Sequence, residues 1–323
     1  MVLSRRDVPP ADLAAAVQML KRERDAVIIA HYYQEGEIQD VADFVGDSLQ
    51  MARFAAKSSA KTIVVCGVHF MAETAKILAM DRTVLLPDLA AGCSLAESAP
   101  EDEFRRFVAA HPGHQVVTYV NSSAAVKAMS DWCVTSSNAV EVVRRIGPKT
   151  PIIFAPDRFL GDYVARQTGR ELVLWQGSCE VHELFSGDAI MRMRQEHPGA
   201  KTLVHPECPA SIIALADVVG STKRLLEAVA QGPETATWIV VTEPGIIHQM
   251  RKIRPNATFL MAPADVRGGE KGACTSCNTC PHMKRNTLEK LWRCLRDGSP
   301  EVTLDAAVAA RARLPIERML TVG

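Results

Sequence analysis

The cysteines are the first place to look for chemistry. Cys93 stands in Ala91-Gly-Cys-Ser-Leu and Cys179 in Gln176-Gly-Ser-Cys-Glu, 86 residues later (179 − 93). The same step beyond Cys179 holds no thiol. There the chain runs through Gly268-Gly-Glu-Lys-Gly-Ala into Cys274-x-x-Cys277-x-x-Cys280-Pro281. Thiolates at equivalent points of a repeated structure can give three ligands to one metal centre. Cys93, Cys179 and one of the three clustered cysteines suit a 4Fe-4S cluster, leaving one iron open as a Lewis acid for carboxylate, carbonyl or hydroxyl oxygen. The loop alone offers another arrangement, with Cys274, Cys277 and Cys280 on one cluster. In that arrangement proline follows the third cysteine directly, where the ferredoxin spacing has it after a fourth. Cys66, Cys133, Cys208 and Cys294 read as small buried side chains.

Groups able to move protons or bind anions keep the same period. His31, Tyr119 and His205 are 88 and then 86 residues apart (119 − 31, 205 − 119), each ending a short apolar run. Tyr33, Asn121 and Glu207 lie on the same strand ends, and His182 follows Cys179 by three residues. Ser48, Ser136 and Thr222 repeat the intervals and open helical patterns, as helix N-caps do. Three helix N-termini aimed at one axis would form a strong anion site. The ligand such a site takes is a small polyanion, a dicarboxylate or a phosphate ester.

The elements that must hold these residues are themselves repeated. First strands are read at Asp25–His31, Gln115–Tyr119 and Ala200–His205, second strands at Thr62–Cys66, Pro151–Ala155 and Thr237–Thr242, and third strands at Val84–Leu86, Leu172–Leu174 and Phe259–Met261. Short unalternating apolar strands separated by helical patterns predict parallel sheets covered on both faces. Such sheets place ligands at the carboxyl ends of their strands. The expected fold is therefore α/β: three similar αβα domains in pseudo-threefold arrangement around a central cluster. The units are taken as 1–97, 98–183 and 184–285, the last with the cysteine-rich loop, and helices in 286–323 are expected to pack on the first.

Composition narrows the function further. Lys plus Arg and Asp plus Glu both number 37, so the chain has no net charge at pH 7, which argues against nucleic acid as a partner. No apolar run approaches the roughly 18 residues of a membrane span, and the first residues lack a signal core. Nine cysteines in a chain expected to be cytoplasmic point to metal or thiol chemistry rather than a disulfide framework.

Several segments together resemble one family. His31-Tyr-Tyr-Gln with Glu37-Ile-Gln-Asp40 and Gly46-Asp-Ser-Leu49, Tyr119-Val-Asn-Ser, Gly177-Ser-Cys-Glu-Val-His182, His205-Pro-Glu-Cys208 and Cys280-Pro-His-Met-Lys-Arg-Asn-Thr287 are similar to the quinolinate synthases, in order and spacing, from about residue 12 to 295. The resemblance implies a 4Fe-4S enzyme of NAD biosynthesis that condenses iminosuccinate with dihydroxyacetone phosphate, giving quinolinate, phosphate and water. It implies Cys93, Cys179 and Cys280 as cluster ligands. Its substrate contacts fall on His31, Ser48, Tyr119, Val120, Asn121, Ser136, His205, Pro206, Glu207 and Thr222, to which His182 is added by proximity to Cys179. Tyr33, Tyr119, His205 and Glu207 are the groups available for proton transfer, Glu207 first among them. A functional link to the aspartate-oxidising enzyme that forms iminosuccinate follows from the same resemblance. Cys274 and Cys277 receive no ligand role, and their spacing allows a reversible regulatory disulfide. Two other classes share parts of the pattern: an iron–sulfur radical enzyme of the diphthamide-synthesis type, and a non-catalytic iron–sulfur or zinc sensor.

Overall fold

The computed structural model describes residues 8–264 and 278–323. Cys274 and Cys277, with their proposed disulfide, lie outside the described residues. Twelve strands among the described residues form three four-stranded sheets, all parallel. The first holds β1 (Ala26–His31), β2 (Phe44–Gly46), β3 (Thr62–Cys66) and β4 (Thr83–Leu85). The second holds β5 (Gln115–Tyr119), β6 (Trp132–Val134), β7 (Ile152–Ala155) and β8 (Val173–Leu174). The third holds β9 (Lys201–Val204), β10 (Val218–Val219), β11 (Thr237–Val241) and β12 (Thr258–Met261).

Each sheet has the same strand order, 2-1-3-4 in its own numbering. The chain leaves the first strand outward to the second and returns past it to the third. The order therefore reverses between β1 and β3, β5 and β7, and β9 and β11, and a parallel sheet opens a crevice at the carboxyl ends there. Ile28, Ile63, Val64, Val117, Ile153, Phe154, Leu203, Ile239 and Val240 are fully buried, as strands sandwiched between helices must be. The second strand of each sheet, only two or three residues long, does not appear in the sequence reading.

By its contacts the chain falls into two compact units: residues to Gly92 with Pro281–Leu304, and Cys93–Cys280 with Asp305–Gly323. The C-terminal helices divide between them. The helix Leu288–Asp297 buries Leu291, Trp292, Cys294 and Leu295 in the core around β1 and β3. The helix Ala306–Leu320 does not join the first unit, where the sequence reading placed it. It packs beside β6, with Ala309, Ala312, Ile316 and Met319 buried. Its attachment is specific: Asn138 Nδ2 donates to the carbonyls of Met319 and Val322, at 3.1 Å each, and Arg318 lies over the Trp132 ring. These partners are polar and distant in sequence, so hydrophobic periodicity could not reveal them.

Candidate active site

In the first unit His31 ends β1 and is buried, with the half-buried Tyr33 ring edge-on at 4.6 Å. The Tyr33 N–H points at His31 Nδ1 at 3.2 Å, which ties the turn to the imidazole. Two family segments clamp this turn. Gln39 donates to the Tyr32 and Gln34 carbonyls at 3.0 and 2.9 Å, and Lys284 Nζ donates to the Tyr33 carbonyl at 2.8 Å. Gln34, fully buried, leaves its Oε1 without a hydrogen-bond partner. Part of the resemblance at Met283, Lys284 and Asn286 is thus bracing within the first unit, since Asn286 also donates to the Gly67 carbonyl at 2.6 Å.

The hydroxyl residues are not the caps that the sequence suggested. Asp47 caps the helix Ser48–Lys57 and forms a capping box with Gln50. Ser221 caps the helix Thr222–Gln231 through the Arg224 N–H. Before the helix Ala139–Arg145, Asn138 Oδ1 accepts from the Thr135 N–H, and Ser136 sits in the turn between them. Ser48 and Thr222 are therefore first helical residues, one place beyond the cap. Their hydroxyls, with that of Ser136, are relieved of capping at the carboxyl ends of β2, β6 and β10. Gly46 permits the first of these turns, because a Cβ there would lie 2.6 Å from the Phe44 ring.

The second unit brings most of the remaining residues together. Tyr119 ends β5 and is buried. Its hydroxyl donates to Glu207 Oε1, which joins the second sheet to the third. Glu207 Oε2 lies 2.8 Å from His182 Nδ1, and that nitrogen lies 3.3 Å from Cys179 Sγ. His182 stacks on His205 with ring centres 4.7 Å apart, and the Glu207 N–H points at His205 Nδ1 at 3.4 Å, repeating the Tyr33–His31 turn. Val120 and Pro206, next in sequence to Tyr119 and His205, are buried. Asn121 Oδ1 is buried without a hydrogen-bond partner, which is costly unless a ligand supplies a donor. Cys93 and Cys179 each sit at a helix start, before Ser94–Glu97 and Glu180–Glu183.

The electrostatics divide the site into a held anion and a set of neutral thiols. Burial alone would raise the Glu207 carboxyl, but the imidazoles of His182 and His205 and the hydrogen bonds from His182 and Tyr119 outweigh it. The carboxyl is held well below its usual range. Burial pushes the Cys93 thiol up to about 12, with the neighbouring Cys280 and Glu207 adding to the rise. Cys179 is raised too, by burial and then by Glu207, Cys93 and Asp157. Buried thiols resist ionisation until a cation neutralises them, which is the behaviour of metal ligands. Of the seven cysteines among the described residues, Cys66, Cys133, Cys208 and Cys294 are buried. Cys93, Cys179 and Cys280, all partly exposed, fit a cluster needing three thiolates. Cys179, His182 and Glu207 also offer ligand atoms within 4.8 Å of one another.

The family described as Quinolinate synthetase A protein matches residues 15–321. The chain belongs to that family. The quinolinate synthase of Microcystis aeruginosa is 54% identical over 317 residues, covering 98% of this chain and 97% of the relative. Those of Trichormus variabilis and Gloeothece citriformis are 55% and 56% identical over 311 residues, each covering 96% of this chain and 94% of the relative. Membership accords with the three α/β sheets, and no described helix is long and apolar enough to cross a membrane.

Three residues escaped the sequence reading. Thr242 Oγ1 lies 2.9 Å from His182 Nε2 and fixes the ring opposite its contact with Glu207. Asp157 and Glu243 are fully buried carboxyls just beyond β7 and β11. Their signal was available, since they stand 86 residues apart, like Cys93 and Cys179.

Proposed function

We propose that the chain is a quinolinate synthase that condenses iminosuccinate with dihydroxyacetone phosphate, yielding quinolinate, phosphate and water. The observation carrying this reading is the continuous contact Tyr119–Glu207–His182–Cys179, which puts acid–base groups against a thiol. Cys93, Cys179 and Cys280 would hold a 4Fe-4S cluster. When bound, it supplies an open iron as a Lewis acid for a substrate carboxylate or hydroxyl.

The chain's own groups do the rest. Asn121, with its buried acceptor, and the uncapped hydroxyls of Ser48, Ser136 and Thr222 bind substrate anions alongside helix-start amides. His31, Val120 and Pro206 shape the contact. Glu207 stays anionic and accepts from Tyr119, so a mobile proton rests on Tyr119 Oη. Removing a proton from the triose carbon beside the carbonyl, and returning one to the departing hydroxyl, falls to Tyr119, His205 and Tyr33, with Glu207 as the acceptor for Tyr119. Iminosuccinate is an unstable imine, so supply by an aspartate-oxidising enzyme in the same cytoplasmic compartment suits this reading.

The test is anaerobic purification with iron and sulfide analysis, followed by assay with both substrates. About four irons and four sulfides per chain with quinolinate formed sustains the proposal. One metal and no sulfide would favour a mononuclear site at Cys179, His182 and Glu207, whose ligand atoms are already within 4.8 Å of one another. Cluster without quinolinate would reject the substrates.

A further inference from the structure

In each repeat the segment leading into the cysteine is tied back to the end of the sheet's middle strand. In the first unit the His69 N–H, just beyond β3, donates to the Ala91 carbonyl at 2.7 Å, and Ala91 precedes Cys93 by two residues. In the second sheet the Arg158 N–H, just beyond β7, donates to the Gly177 carbonyl at 2.9 Å, and Gly177 precedes Cys179 by two. Asp157 and Gly177 form a parallel bridge there. The approach requires glycine, because a Cβ at 177 would lie 2.6 Å from the Pro156 carbonyl oxygen.

The third repeat has a longer loop before its cysteine, and there a side chain makes the tie. Glu243 stands just beyond β11, 86 residues after Asp157 (243 − 157). It is fully buried. Its Oε2 accepts from the Gly245 N–H at 2.6 Å, and its Oε1 accepts from the Cys280 N–H at 3.4 Å. Asn278, two residues before Cys280, donates through Nδ2 to the Ala262 carbonyl at 2.7 Å. A carboxylate is costly to bury and persists where it accepts from backbone N–H groups. Glu243 meets that condition by spanning the turn after β11 and the Cys280 backbone.

We propose that Glu243 is the positioning residue of Cys280: its carboxylate replaces the backbone tie that sets the other two cysteine segments. The proposal rests on the reading of Cys280 as a cluster ligand. It predicts a local effect, confined to the third thiol, because Cys93 and Cys179 have ties of their own.

Reconstituted wild type, Glu243→Ala and Glu243→Gln are challenged anaerobically with excess EDTA while the visible absorbance is followed. In parallel, the cluster-free chains are alkylated with iodoacetamide, and the modification rate at each cysteine is read by peptide mass spectrometry. Glu243→Ala is expected to lose its cluster about tenfold faster, as loss of a ligand-orienting partner does elsewhere. Its Cys280 should be alkylated faster, with rates at Cys93 and Cys179 and the melting temperature unchanged. Glu243→Gln, which keeps a carbonyl acceptor, should fall between. Wild-type chelator resistance in Glu243→Ala, or equal acceleration at all three cysteines, overturns the proposal. Should Glu243→Ala fail to fold, the same two rates in Glu243→Gln decide. If wild type itself takes up no iron and sulfide, the cluster reading fails, and the alkylation rates still judge Glu243.

Discussion

Tyr119 ends β5 and Glu207 lies three residues beyond the end of β9, and the phenol of one donates directly to the carboxylate of the other. Both are almost wholly buried. An isolated carboxylate there would take up a proton, since desolvation disfavours its charge. Instead the two imidazoles and the phenol hold it anionic. The arrangement keeps hydrogen-bond donors aimed at one acceptor, so each donor's proton has a fixed direction and a group to return from. On the proposed function such an arrangement serves proton transfer, and stability alone would be served as well by apolar side chains.

Tyr119→Phe and Glu207→Gln should therefore lower kcat by about 10²–10⁴-fold, the usual range for a positioned acid or base. Iron and sulfide content should stay at the wild-type level, because neither residue is a thiol ligand. Turnover assays paired with iron analysis check this. Near-normal kcat in Glu207→Gln would remove the pair from the proton path.

The hydroxyls permit a cleaner separation of binding from stability. Ser221 caps its helix through the Arg224 N–H, and Thr222 beside it does not. Ser221→Ala should lower stability by about 1 kcal/mol. Thr222→Ala and Ser136→Ala should raise KM with the melting temperature nearly unchanged. A drop in melting temperature at unchanged KM would return these hydroxyls to a structural role.

The sequence made nine of the twelve described strands legible, because buried parallel strands are unbroken apolar runs and these recurred at a fixed interval. It also brought forward the strand-end residues, since a polar side chain recurring where packing wants an apolar one is conspicuous. The strands Phe44–Gly46, Trp132–Val134 and Val218–Val219 were missed, because each sits next to a turn that reads as the opening of the following helix. The caps were misplaced by one residue at Ser48 and Thr222 because Asp47 and Ser221 compete for the same role. Asp157 and Glu243 went unnoticed for a different reason. A single acid after a strand looks like an exposed loop residue until burial is known. The helix Ala306–Leu320 was attached to the wrong unit because its fixing contact, Asn138, lies 181 residues from Met319.

Asp157 gives a pH signature of its own. One carboxylate oxygen caps the helix Arg158–Thr168 through the Leu160 N–H, and the other is buried without a partner. Burial, then the charge of Glu207, raises its carboxyl well above the unfolded value near 3.8. A folded-state value above the unfolded one adds stability below the unfolded value, and that contribution is lost as pH rises through the folded value. Asp157→Asn keeps the cap and removes the titration. Wild type should thus gain stability relative to Asp157→Asn as pH falls from about 8 toward 4, read as the difference in melting temperature across that range. A pH-independent difference would show that the carboxyl ionises normally in the fold.

The cysteines supply the sharpest test. If three sheets each contribute one thiolate, Cys93→Ser, Cys179→Ser and Cys280→Ser should each lose most of the cluster chromophore and the activity. Burial raises the thiols of Cys93 and Cys179, and each is pushed further by a neighbouring cysteine. Cys133→Ser and Cys208→Ser, in the buried core, should lower stability while leaving iron content near wild type. Cys274→Ser and Cys277→Ser should likewise keep their iron. The competing arrangement, with Cys274, Cys277 and Cys280 on one cluster, reverses these outcomes at 93, 179, 274 and 277. An iron-replete Cys93→Ser or Cys179→Ser chain would thus place the cluster in the loop. Iron loss at all three of 93, 179 and 280, with retention at 274 and 277, assigns one ligand to each repeat.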